Sequence, residues 1–141
     1  MDCRKLFEPA PAGRGPQHVL SEHGRSVLHQ AIVEGDTQLL VELGEALGEL
    51  LADSRVSASQ LRDIINAFRR IHSRFRWDDA LLLKPRLRYR AARHSGRSGL
   101  DMLCSILIAA IDMVEGDPKR FSRAFELLKA AVAYSYSPET T

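Results

Sequence analysis

The side chains with chemistry to offer are guanidinium groups. Arg62, Arg69, Arg70, Arg74 and Arg76 are followed by Lys84, Arg86, Arg88, Arg90, Arg93 and Arg97. The densest run, residues 83–93, reads Leu-Lys-Pro-Arg-Leu-Arg-Tyr-Arg-Ala-Ala-Arg and holds no acid. Between residues 55 and 97 the chain carries twelve basic and three acidic side chains, a local net charge of +9. Residues 1–54 carry −5 and residues 98–141 carry −2, so the overall +2 conceals a cationic middle between acidic ends. Arginine outnumbers lysine sixteen to four over the whole chain, which accounts for the choice of cation but not for its clustering. Like charges concentrated in this way call for something anionic to neutralise them. Arginine's planar fork matches phosphate geometry and stacks on bases, so a polyanion such as nucleic acid is the expected partner.

The spacing sharpens this. On a helix turning about 100° per residue, Arg62, Arg69 and Arg76 drift only about 20° per seven residues and form one row, with Arg70 and Arg74 beside it. Arg86, Arg90, Arg93 and Arg97 form a second row, expected opposite Leu83, Leu87 and Ala91. Two such rows on adjoining helices are expected to merge into a basic surface with sequence-independent, salt-sensitive affinity for a phosphate backbone. Tyr89 and Tyr134 have rings that could stack on bases, but half-buried packing is the expected role of each. Catalysis has no comparable signal. His18, His23, His29, His72 and His94 are scattered, and no phosphate-loop, zinc-protease or paired-cysteine motif occurs. His72 falls at the edge of an apolar stripe and is expected to be partly packed there. Asp78 and Asp79 are expected to cap a helix, and Cys104 to be core. No cofactor, metal or small-molecule substrate is expected. The longest uncharged apolar run, Met102 to Ile111, is about half of the roughly 20 residues a bilayer span needs, and no signal peptide is visible, so a cytosolic protein is expected.

The elements that must position the arginines read as helices throughout. Residues 1–20, rich in proline and glycine, are expected to form a flexible tail ahead of a single bundle over 21–137. A first helix is expected from about Ser26 to Glu34, and a second from Thr37 to Asp53 behind the cap Asp36. Ser57-Ala-Ser-Gln60 is a capping box opening a third helix from Ala58 to Arg76. A fourth element starts at Asp78 or Asp79, with Pro85 either its first helical residue or a kink within it, and ends near Gly96. Ser98 is expected to cap a fifth, ending at Gly116. Asp117-Pro118 restarts the chain into a last helix reaching about Tyr136. No period-two alternation is sustained, so no strand is expected. The fold class is all-α, a compact bundle of about five to six helices.

Three stretches together resemble a known family. They are the helix start Ser59-Gln60-Leu61-Arg62, then Leu83-Lys84-Pro85-Arg86-Leu87 with Tyr89 and Arg93, and the closing Phe121 to Tyr134 segment. In this order and spacing they look like the small subunit of the type III-A CRISPR effector, the Csm interference complex, over about residues 36–136. Ala92 stands where the family usually has glycine, and Arg88 where it has a small residue. The resemblance implies a non-catalytic helical bundle in antiviral defence. Copies would stack head to tail as the minor filament of a ribonucleoprotein along the duplex of crRNA and target RNA, beside other subunits of the Csm complex. By position it carries RNA contact onto Arg62, Lys84, Arg86 and Arg93, whereas Arg69, Arg70, Arg90 and Arg97 rest on the stripe argument alone. Two other readings remain open. One is a helical DNA-binding regulator, for which base-reading Asn or Gln side chains are sparse. The other is an adaptor whose basic face binds an acidic protein.

Overall fold

The computed structural model describes residues 1–11, 17–93 and 98–136. Six α-helices fill these residues: α1 Glu22–Ile32, α2 Thr37–Asp53, α3 Ala58–Ser73, α4 Trp77–Arg93, α5 Ser98–Val114 and α6 Pro118–Ser135. The architecture is the expected all-α bundle. Caps explain several of its boundaries. The Asp36 side chain accepts from the Leu39 N–H (3.0 Å), Ser57 from Gln60 (3.1 Å) and Asp117 from Lys119 (2.9 Å). Each satisfies one of the backbone donors that a helix start leaves unpaired. Only half of the expected capping box forms, because Gln60 Oε1 is buried and finds no partner among the described residues. The Ser98 cap and the helix end near Gly96 fall on residues outside the described set or on an undescribed side chain.

Helix α5 is the central element. Leu100, Leu103, Cys104, Ile106, Leu107, Ala110, Ile111 and Val114 are all essentially inaccessible, and α1, α2, α4, α6 and the N-terminal strand segment pack around it. Helix α2 makes its broadest contact with α6. The approach there is close because Gly44 and Gly48 lie on the shared face. A Cβ at Gly44 would stand 2.5 Å from the Ala130 Cβ, and one at Gly48 2.4 Å from the Tyr134 Cβ. Between α3 and α6, Phe68 stacks on Phe121 with ring centroids 5.5 Å apart, and Phe75 tilts onto Phe121 at 5.4 Å.

Three expectations about elements are corrected. Residues before α1 are not a free tail where they are described. They form a 3-10 turn, Cys3–Leu6, and two antiparallel strands, β1 Phe7–Pro9 and β2 His18–Leu20, with Phe7 opposite Leu20. Leu6, Phe7 and Leu20 are buried, which recovers the apolar free energy that a detached tail would forgo. The strands are also tied down by polar groups. Asp101 of α5 is only 4% exposed. Its carboxylate accepts from the N–H of Gln17 (2.7 Å), the N–H of His18 (2.9 Å) and His18 Nδ1 (2.9 Å), while the Ser105 hydroxyl donates to the His18 carbonyl. Helix α1 begins four residues earlier than expected, because the Ser21 hydroxyl caps it at the Gly24 N–H (3.0 Å). Gly24, which reads as a breaker, is needed there since a Cβ would come within 2.1 Å of the Leu6 carbonyl oxygen. Helix α3 stops at Ser73 rather than Arg76, with Arg74 as its non-helical C-cap.

Candidate nucleic-acid interface

Helix α4 runs through Pro85 from Trp77 to Arg93. Proline cannot donate to the Leu81 carbonyl, and its ring crowds that group. The position is tolerated on the exposed side of the helix. Ala80, Leu83, Leu87 and Ala91 face the core. Arg86, Arg90 and Arg93 therefore sit on a flank of α4, about 100° round from the buried stripe and not opposite it as the spacing suggested. That flank is the one turned towards α3.

A cavity of about 280 Å³ opens between the two helices, lined on the α3 side by Asp63, Asn66 and Arg70 and on the α4 side by Arg86 and Arg90. A second, of about 400 Å³, continues along α4 past Pro85, Arg86, Tyr89, Arg90 and Arg93. Arg86 and Arg90 line both. Arg70, Arg86 and Arg90 thus share one groove, and Arg93 borders the adjoining cavity along α4. Two carboxylates offset them: Asp63, 4.0 Å from Arg90, and Asp79 near Arg70 and Arg86. An ion pair as long and exposed as Arg90–Asp63 is worth on the order of 0–1 kcal/mol, so it leaves Arg90 available to a stronger anion. Arg70, Arg86 and Arg93 are exposed and form no ion pair among the described residues.

The other candidate residues are placed elsewhere. Arg69 is one residue from Arg70 and hence about 100° round α3; its guanidinium donates to Asn66 Oδ1 (3.2 Å). Arg62 lies on the same outer crest, at about 80° from Arg70. Arg76 falls in the α3–α4 connection, so the expected row of three arginines is a pair. Lys84 turns to the opposite flank of α4 and pairs with Asp112 of α5. Arg97 lies outside the described residues. The rows therefore meet through Arg70, not through the Arg62/Arg69/Arg76 line.

Two rings contradict or refine the sequence reading. Tyr89 is 66% exposed and not half-buried, whereas Tyr134 is partly buried as expected. His72 is exposed, bonds Ser122 (3.3 Å) and lays its ring 5.2 Å from Phe125. Asp63 and Asn66 went unrecognised as groove residues; the one available signal was their i−7 and i−4 spacing from Arg70 on the same helix. Among the described residues no cluster of His, Cys, Asp and Glu could hold a metal ion, and no helix is long and apolar enough to cross a membrane.

Fold and groove define a small helical bundle with arginines lining the groove between α3 and α4. The chain belongs to the Csm2 Type III-A family, whose model matches residues 34–139. It is accordingly a type III-A CRISPR small subunit, a member of a Csm complex with other subunits. The match takes in α2 to α6 and leaves both strands and α1 outside. Searches among curated proteins and among solved structures return no match to the chain.

Proposed function

We propose that the chain is a non-catalytic filament subunit that grips the backbone of crRNA and target RNA through the α3–α4 groove, with copies stacked head to tail inside the cytoplasmic complex. The observation that carries this is the convergence of Arg70, Arg86 and Arg90 from two helices on one groove, with Arg93 on the adjoining cavity along α4. Such a groove neutralises phosphates without reading bases, since Asn66 is its single uncharged polar liner on α3. Arg62 and Arg69 extend the same surface along the α3 crest as outer contacts. Lys84 needs to leave Asp112 to take part.

Reversing charge at both Arg86 and Arg93 is the test. The double variant R86E/R93E is expected to lose at least about tenfold in RNA affinity at moderate salt, with the salt slope reduced by about one unit per lost phosphate contact. Its melting temperature should stay within a few degrees of the parent's, because both side chains are exposed. Parental affinity in that variant would remove the groove as the RNA site. Equal affinity for RNAs of unrelated sequence is the expected result, and a strong preference for one DNA sequence would favour a regulator instead.

A further inference from the structure

Tyr89 shows two-thirds of its surface to solvent, although nothing in the fold obliges a tyrosine to stand there. Pro85 precedes it by four residues, so the two rings are neighbours on one helix face. Arg86 and Arg93 lie three residues before and four after, bracketing the phenol ring with guanidinium groups. Together with Arg90 they border an open shelf of about 400 Å³ along α4. The surroundings combine an aromatic face with concentrated positive charge. A ligand satisfying both must bring a π-face and an anion, which is the chemistry of a nucleotide. Arg86 and Arg90 belong to this shelf and to the α3–α4 groove alike, so a strand whose phosphates occupy the groove passes beside the ring.

We propose that Tyr89 and Pro85 form a stacking platform for one unpaired nucleobase of an RNA strand held in the α3–α4 groove. A base inside a duplex is already covered on both faces and cannot use the ring, while a base swung out of the stack can. This rests on the RNA reading above and adds a preference for a displaced base.

The experiment compares two RNA duplexes, one fully paired and one with a single unpaired 2-aminopurine, titrated with the full chain. The parent is expected to bind the bulged duplex roughly tenfold more tightly than the paired one and to quench the probe. Tyr89→Phe should keep both effects. Tyr89→Leu should lose the preference and the quenching yet bind the paired duplex as the parent does, with the same salt slope and melting temperature. Paired-duplex binding by the parent without preference or quenching overturns the stacking site alone, as does a Tyr89→Leu variant that retains them. Failure of the parent to hold either duplex overturns the RNA reading together with it.

Discussion

A carboxylate as enclosed as that of Asp101 survives only if its oxygens are satisfied, and here three donors from residues 17 and 18 reach it. The first turn of α5 adds a favourable helix dipole. Replacing Asp101 with Ala strands those donors beneath the strand pair. The expected cost is about 3 kcal/mol, read as a fall of roughly 10 °C in melting temperature and faster exchange of the Gln17 and His18 amides. The cysteines behave differently, since burial is what governs them. It pushes the Cys104 thiol from 9.0 up to about 12, and lifts Cys3 to about 11 with help from Asp2 and Glu49. Both thiols stay protonated in the folded chain while those of the unfolded chain ionise near pH 9. Their contribution to stability is therefore complete below pH 9 and is lost as pH rises toward 11–12. Iodoacetamide at pH 8 should label Cys104 only when denaturant is added. At this scale residue type was legible in the sequence, whereas partnership was not. Lys84 meets an aspartate 28 positions away, a choice made by how α4 lies on α5 and not by any local pattern.

Helices were legible where a cap or a breaker marked their ends. Asp36, Ser57 and the Asp117-Pro118 pair each mark the start the structure uses. The strands were not, because three residues are too few to display alternation and their support comes from α5. Nor was the reason for the glycines in α2. Gly44 and Gly48 read as weak points in a helix, each less favourable than Ala by about 1 kcal/mol. Contact with α6 reverses that judgement. A methyl at Gly48 would meet the Ala131 carbonyl oxygen at 2.8 Å as well as Tyr134, and forcing such overlap costs about 1–3 kcal/mol. Gly48→Ala should thus lower the denaturant midpoint despite its better propensity. A midpoint that rises instead would mean that α2 and α6 can separate without penalty.

Across the whole molecule, charge is sorted by helix. Glu42, Glu45, Glu49 and Asp53 stand exposed along α2, while the arginines gather on α3 and α4. The net figure of +2 predicts little about such a body; the segment-by-segment count predicted its polarity well. That count could not predict which of two rows would reach the groove, because this depends on where α3 stops and how it rolls against α4. The N-terminal segment has a consequence in time. Gln17 and His18 leave the ribosome 84 and 83 residues before the aspartate that holds them. At roughly 5–20 residues per second, these amides await their acceptor for about 4–17 s, so the strand pair settles only after α5 has been made.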